Sequence, residues 1–426
     1  MGSVAGATEG LARKSDAAKP FAGKTVAVVH AAWHSCGSYQ VNLSQMIAYK
    51  ALGARVISIA FMDVPGPPAP DGGRWPGYLG GSRDLPADRR FFTGASNSAL
   101  WTFSLLKDGW WPLIHGDQAT WLIELAKRAP MPEGIETETI DLVHANHYFT
   151  LPLVERLIGK RRVPIILETQ DIQARQYVLR NQDGFFIPPY VTYEDMLAVE
   201  LGWMKRADVN VHINAEEHAA FQRLLPGARH ELVYPAVAPA PLGAGGRAIV
   251  IVASDHYPNY LGLRWFLEKV LPLAPGVDVE IYGNIDEGVR SRDAALYEAH
   301  QRLFKGRAPD IGAVYANAGC VLLPTTDGYG LSIKAVEALS SGAPLITTPA
   351  AFRGMSVDLR TLANVAVAER AEDFATALRD IHARLQAGGA ESSRATTDSR
   401  RYYDEAFSND AYARALAKIT VPMVCG

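Results

Sequence analysis

A chain of 426 residues, 48% hydrophobic and 20% charged, has the composition of a soluble globular protein and the length for two domains with full cores. Its formal net charge of −3 supplies no global attraction to nucleic acid. Three scattered cysteines, Cys36, Cys320 and Cys425, make neither a metal spacing nor a disulfide framework, which favours a reducing compartment.

Met1–Pro20 is small, polar and mixed in charge, and reads as a flexible leader without the apolar core of a signal peptide. No run approaches the ~20 apolar residues of a membrane span. These features place the protein in the cytoplasm or at the inner face of the membrane. Lys24–His30 is an apolar strand, Ala31–Gly37 a loop, Ser38–Leu52 a helix closing at Gly53, and Arg55–Phe61 the next strand. This is a βαβ unit, and the Gly37 backbone in its loop is free to approach a phosphate; the same loop also reads as a bare strand-to-helix turn. Asp63–Arg90 carries six prolines and six glycines, which oppose regular structure. Residues 62–140 are therefore expected to be an insertion. Within them Trp101, Phe103, Trp110, Trp111 and Trp121 lie among leucines, near Arg83, Arg89, Arg90 and Lys107. Such a stretch suits an acceptor groove, an anionic membrane surface, or a satellite core under the long loop.

Asp141–Asn146 reads as a strand, Leu151–Ile158 as a helix, and Val163–Leu167 as a strong strand with Glu168 and Asp171 at its carboxyl end. Glu194–Arg206 and Ala215–Leu225 are helical around a strand at Ala207–Asn214, and Glu231–Tyr234 is a last short strand. Residues 21–235 thus form one α/β domain. Ala236–Gly246 is uncharged and rich in proline, alanine and glycine, as a linker is. A second α/β series spans 247–395: strand Arg247–Ala253, helix Pro258–Leu273, strand Val277–Gly283, loop Gly306–Asp310 and short helix Ile311–Ala318. The stretch Gly319–Gly354 follows as strand Cys320–Pro324, a polar turn, helix Leu331–Ser341 and strand Pro344–Thr348. Its turn lies at a strand's carboxyl end and a helix's amino end, where open α/β sheets bind ligands and free amides favour anions. Lys334 and Glu337, three apart, share a helix face. A cation there suits a phosphate and a carboxylate a sugar diol, although a solvated Lys–Glu pair also fits. Ala371–Leu385 and Asp398–Ile419 are amphipathic helices, the second within a terminal segment 396–426.

The pattern Gly330, Lys334, Glu337, Ala338, Leu339, Gly342, Pro344, Thr347, Thr348 resembles the donor-site signature of GT-B glycosyltransferases of group 1, the family 4-like type. That resemblance implies an α/β fold of two Rossmann-like domains with a donor-binding cleft between them, and a final helix crossing back to the first domain. It implies that Lys334 meets the diphosphate and Glu337 the ribose of a UDP- or GDP-sugar. Gly330, Leu331, Ser332, Tyr329, Asn259 and Gly283 would surround them, Arg307 and Ala308 would meet the base, and Gly37 would approach from the first domain. Relatives often carry a second glutamate eight residues before the first; Tyr329 stands there in this chain. The pattern E-x-x-W-x-x-x-A-D-V, with Glu200 and Asp208, and the later Glu217 resemble the family's acceptor domain.

Glycosyl transfer needs a group that deprotonates or orients an acceptor hydroxyl, and cations or dipoles for the departing nucleoside diphosphate. Asp171 is the candidate base, since some inverting GT-B enzymes place an aspartate after this strand; the competing reading makes it a helix cap. Glu168, His144, His147 and Arg175, with Trp110 and Trp111, are further acceptor-side candidates. No D-x-D triplet lies on a suitable loop, Asp278–Glu280 falling inside an expected strand, so neither a catalytic metal nor a cofactor is expected. The implied reaction moves a sugar from a nucleotide-sugar to a glycan or lipid-linked acceptor in polysaccharide or glycolipid biosynthesis. A GT-B epimerase would need clustered acids around the sugar, a phosphorylase a cofactor lysine; neither is evident. A non-catalytic nucleotide-sugar-binding protein is the remaining alternative.

Overall fold

A computed structural model describes residues 19–33, 37–66, 85–96, 102–181, 185–328, 330–388 and 393–425. Tyr329, Cys36, Trp101, Arg83 and the leader through residue 18 lie outside the described residues. Contacts divide the chain into two compact units, one of residues up to Ala236 together with Tyr412–Gly426, the other Val237–Ala411.

The N-terminal unit is built on a parallel sheet because its apolar runs are continuous, as strands buried on both faces are. Its strands are β1 (Thr25–Ala31), β2 (Arg55–Gly66), β3 (Arg89–Ser96), β4 (Leu142–Asn146), β5 (Ile165–Glu168), β6 (Val209–His212) and β7 (His230–Leu232). They lie in the order β3-β2-β1-β4-β5-β6-β7, every described pairing parallel. Side chains alternate across the strand. Ala27, Val29 and Ala31 therefore join one buried cluster, and Val26 and Val28 the opposite one.

The helices are α1 (Gly37–Ala51), α2 (Gln118–Arg128), α3 (Leu151–Ile158), α4 (Gln173–Asn181), α5 (Tyr193–Met204) and α6 (Ala215–Leu224). Thr192 and Asp195 close α5 with a capping box, and Asn214 caps α6 through the amides of Glu216 and Glu217. Residues 62–140 are more than an insertion. β3 is the edge strand of the main sheet, and α2 buries Trp121, Leu122 and Leu125 in the same core as β1. A parallel neighbour and tertiary burial outweigh the glycine- and proline-rich composition before Arg89.

The C-terminal unit repeats the plan with β8 (Ala248–Val252), β9 (Glu280–Tyr282), β10 (Phe304–Gly306), β11 (Ala318–Leu323), β12 (Leu345–Thr347) and β13 (Val365–Val367). Their order is β10-β9-β8-β11-β12-β13, again parallel in every described pair. Its helices include α7 (Tyr257–Trp265), α8 (Ile285–Arg292), α9 (Ala294–His300), α10 (Ile311–Asn317), α11 (Ile333–Ser340) and α12 (Ala371–Gln386). Two expectations change here. β10 occupies part of what reads as a loop, and β9 begins only at Glu280. Asp278 thus precedes the strand, exposed between the buried Val277 and Val279 and 2.8 Å from Arg302.

The expected single helix over Asp398–Ile419 is two, α13 (Asp398–Ala406) and α14 (Asn409–Cys425), broken at Phe407 and Ser408. Tyr412, Leu416 and Ile419, one turn apart, pack into the buried cluster of the N-terminal unit beside Val26 and Val28.

In both sheets the strand order reverses once, between β1 and β4 and between β8 and β11. Each reversal opens a crevice at the carboxyl ends of those strands. It faces Trp33 and His147 in one unit, and Ser254 and the turn before α11 in the other.

Candidate functional site

In the C-terminal unit, Ser332 caps α11, its hydroxyl accepting the Ala335 amide at 3.4 Å. Gly330, at φ 67°, turns the chain into that cap in a conformation that favours glycine. Lys334, in the first turn, is half-buried and donates to Ser254 Oγ at 3.1 Å, across the crevice from the end of β8. The same serine accepts from Asn259 Nδ2 at 3.2 Å, and its carbonyl accepts from that amide at 3.0 Å. Glu337 turns to a different partner: its Oε2 accepts from Tyr315 OH, on α10, at 3.3 Å.

Burial pushes the Lys334 ammonium down and the Glu337 carboxyl up from their ordinary ranges, and in each case the charge of the other offsets part of the effect. A cation and a carboxylate held half-desolvated on one helix face, beside a strand-end crevice, have the chemistry to meet a polyanion that also carries hydroxyls. Gly283, at φ 112°, ends β9 against the Ala253 carbonyl, which any Cβ there would strike. Leu331 is half-buried, and Arg307 is exposed with Nε 3.9 Å from Glu287. Ala308 lines a cavity of about 420 Å³ with Val250, Glu280, Tyr282 and Asp310. A larger cavity, about 800 Å³, opens beside Pro344 and Asn364 at the amino ends of β12 and β13, the end opposite Lys334.

Ser254 and Tyr315 join this pair; the resemblance implies that the strand-end stretch Ser254–Asn259 flanks the diphosphate, whereas Tyr315 carries no expectation from the sequence. Ser254 follows an apolar strand, which is a usable signal. Tyr315 stands 22 positions from Glu337, a separation that carries no local pattern. The loop after β8 also bears Asp255, whose carboxylate is met by Arg292 of α8 at 2.6 Å. Arg353 places its guanidinium against Gly328 in the turn before α11.

In the N-terminal unit, His147 and Gln170 follow β4 and β5 with φ of 63° and 66°, conformations that cost a non-glycine residue free energy. His147 is 2% exposed, lies between Trp33 and Phe149 at ring separations of 5.0 and 5.1 Å, and has both ring nitrogens unpartnered. Burial, with Arg180 and His30 nearby, holds its imidazole down at about 3, so it is neutral. Asp171 is half-buried at the next position after Gln170. Burial raises its carboxyl to about 6 against the opposing charge of Arg180.

Glu168 is enclosed completely. It lies in a polar network in which Gln45 Nε2 donates to Asn146 Oδ1 at 2.9 Å and to Glu168 Oε2 at 3.3 Å, with His144 Nε2 3.6 Å from the same oxygen. Tyr49 OH lies 2.9 Å from His144 Nδ1. Glu168 and His144, expected as acceptor-side residues, therefore lie beneath the surface rather than on it. Arg175 and Gly37 are exposed.

The two tryptophans part company. Trp110 is half-buried with its ring 4.8 Å from that of Trp121, whereas Trp111 is 62% exposed beside His115. Trp111 belongs to a helical run of α and π turns from Phe103 to Ile114, onto which residues 185–191 dock. The Ile187 and Val191 amides donate to the Ile114 and His115 carbonyls at 2.8 and 2.9 Å. Phe103, Phe185 and Tyr190 are exposed along with Trp111. Among the described residues no group of three or more His, Cys, Asp or Glu side chains is arranged to hold a metal ion. Among them, too, no helix is long and apolar enough to cross a membrane.

Residues 246–384, within the C-terminal unit, match the family model described as "Glycosyl transferases group 1". No curated protein sequence matches the chain. Among solved structures, HepE of Anabaena in complex with UDP and glucose is 13% identical, with TM-score 0.56, covering 92% of this chain and 98% of its own. Sucrose-phosphate synthase of Thermosynechococcus elongatus is 13% identical, TM-score 0.58, covering 94% and 99%. The pneumococcal O-GlcNAc transferase GtfA, in complex with UDP and GlcNAc, is 11% identical, TM-score 0.56, covering 94% and 99%. At these identities the likeness is one of fold: two Rossmann-like units of the GT-B type.

Proposed function

We propose that this chain, a GT-B protein with a group 1 glycosyltransferase domain, transfers a sugar from a nucleoside diphosphate donor to a hydroxyl of a glycan or lipid-linked acceptor. The observation that carries this reading is the pair at the start of α11. Lys334 donates to Ser254, which Asn259 also holds, at the crevice, and Glu337 is steadied by Tyr315 one turn further. A diphosphate on the lysine and the helix amides, with the ribose hydroxyls on the glutamate, satisfies both half-buried charges at once. As the sugar leaves, the charge growing on the diphosphate is what Lys334 and the helix end stabilise. That HepE and GtfA are each solved with UDP is consistent with a uridine donor.

On the acceptor side, Asp171 would take the hydroxyl proton. A carboxyl raised to about 6 is still mostly ionised at neutral pH, yet more basic than an ordinary aspartate. The exposed Phe103, Trp111, Phe185, Ile187 and Tyr190 favour a lipid-linked acceptor met at a bilayer surface, at the cytoplasmic face.

Incubation with a panel of UDP- and GDP-sugars, with and without a lipid and glycan extract, tests the reading. Acceptor-dependent release of one nucleoside diphosphate is expected. Tight binding without release under any condition would leave the non-catalytic alternative, and absence of binding would refute the site.

A further inference from the structure

The first amides of a helix need acceptors, and an aspartate just before the first turn ordinarily supplies one. Asp171 stands two residues before α4 yet does not serve that helix. Its Oδ1 accepts from the side-chain amide of Gln173. The backbone amides of Gln173 and Ala174 go instead to Glu200, at 3.2 Å on Oε1 and 3.0 Å on Oε2. Glu200 reaches in from α5 and is 1% exposed. The Ile172 amide is directed to Glu217, on α6.

The other side of the turn is held as well. Thr169 N donates to Val211 O at 3.0 Å, and Gln170, in its left-handed conformation, donates from Nε2 to Asn146 Oδ1 at 3.0 Å. The turn that carries Asp171 is thus fixed from both sides, and the group nearest the helix end is kept out of the cap.

We propose that Glu200 is a positioning residue for Asp171: by occupying the first-turn amides of α4 it leaves the Asp171 carboxyl uncapped and presented to the acceptor. This rests on the reading of Asp171 as the acceptor base. With the Glu200 contacts removed, the orphaned amides lie next to Asp171, whose carboxylate rotates onto them. An aspartate in that cap is stabilised as the anion by two amides and the helix dipole, and so loses basicity and reach together. The groups facing Asp171 are Arg180, Gln173, Gln176 and Tyr177 from α4, Glu200 from α5, and Glu217 from α6. Three of these are acids or a phenol, so a purely electrostatic role for Glu200 must be separated from a geometric one.

Two substitutions in the full chain separate them. Glu200→Gln keeps the reach and one acceptor oxygen, and is neutral as the buried glutamate itself is near pH 6. Glu200→Asp keeps the carboxyl group but falls one methylene short of the amides. The readout is the Asp171 side-chain titration followed by carbon-13 NMR, alongside the pH profile of kcat and the donor KM. Glu200→Asp is expected to lower the Asp171 midpoint from near 6 by at least about one pH unit. The acid limb of kcat should move with it, and kcat should fall about tenfold at unchanged donor KM. Glu200→Gln should leave the midpoint within about half a unit of wild type.

A midpoint that does not move in Glu200→Asp, or that moves equally in both variants, overturns the proposal. Should Glu200→Asp fail to fold, Glu200→Ser, small and neutral, is read in the same way. Failure of the base assignment itself shows separately, as retained turnover in Asp171→Asn, because the NMR titration is read on Asp171 whatever its chemical role.

Discussion

Asp171→Asn is the most informative single change, because the structure makes it alter rate and stability in opposite directions. The wild-type carboxyl titrates at about 6, against an ordinary value of 3.8. A base with that midpoint is about 90% ionised at pH 7 and about 10% at pH 5, so kcat should fall roughly tenfold per pH unit below 6. Asparagine keeps the size and the contact with Gln173 but cannot take a proton, and turnover should drop by ~10²-fold or more.

The stability effect has the other sign. The folded state holds the proton more tightly than the unfolded chain, so the ionised side chain destabilises the fold above pH 6. That penalty fades as the pH falls from 6 toward 3.8. A two-unit difference corresponds to about 3 kcal/mol, which partial exposure of the group reduces to about 1–2 kcal/mol. Asn should therefore raise the melting temperature at pH 7.5 by a few degrees, at ~2–4 °C per kcal/mol for a unit of this size. The difference should vanish near pH 4. Turnover measured from pH 5 to 8 and thermal melts at both pH values check this. Near-normal turnover in Asn, with the acid limb still at 6, would refute the base assignment. An unchanged melting temperature would refute the burial penalty.

Lys334→Ala should weaken UDP or GDP binding at least tenfold by calorimetry without lowering the melting temperature, since a half-desolvated ammonium contributes little to the fold. Glu337→Ala should reduce affinity for the nucleoside diphosphate more than for pyrophosphate, equal losses arguing against a ribose contact. Trp110→Ser should destabilise the N-terminal unit by about 1–3 kcal/mol through lost packing on Trp121, whereas Trp111→Ser should leave melting unchanged and lower liposome association. The stability of the N-terminal unit should change with pH in three stages. Burial raises Glu200 and Glu217 to about 8 and depresses His147 to about 3 and His212 to about 2. As pH falls from 8 to 6.5 the folded state takes up protons at the two glutamates, a gain of about 4 kcal/mol. Between 6.5 and 4.5 the unfolded chain protonates its histidines and offsets the glutamates, leaving only the gain from Asp171 below 6, and below about 4 stability falls. Melts that decline steadily from pH 8 to 6.5 would contradict this.

Much of this molecule is local, and what is local could be read from residue order. Continuous apolar runs and helical spacing mark each β1–α1–β2-type unit, and the uncharged Pro- and Gly-rich stretch marks the break at Ala236. The motif from Gly330 to Thr348 holds its turn, helix start and charged pair within one βαβ unit, so its local structure was legible. Tertiary structure decided whatever depends on distant partners. Lys334 meets Ser254, 80 positions away, and Glu337 meets Tyr315, pairings no periodicity encodes. Trp110 and Trp111, adjacent and chemically identical, separate into core and surface because a helix turns about 100° per residue and only one can face Trp121. The question of base or cap at Asp171 has the same origin. A helix start preceded by aspartate reads as capped by it, but Glu200 arrives from another helix to take those amides, because packing brings α5 against α4 and burial leaves its carboxylate no other partner.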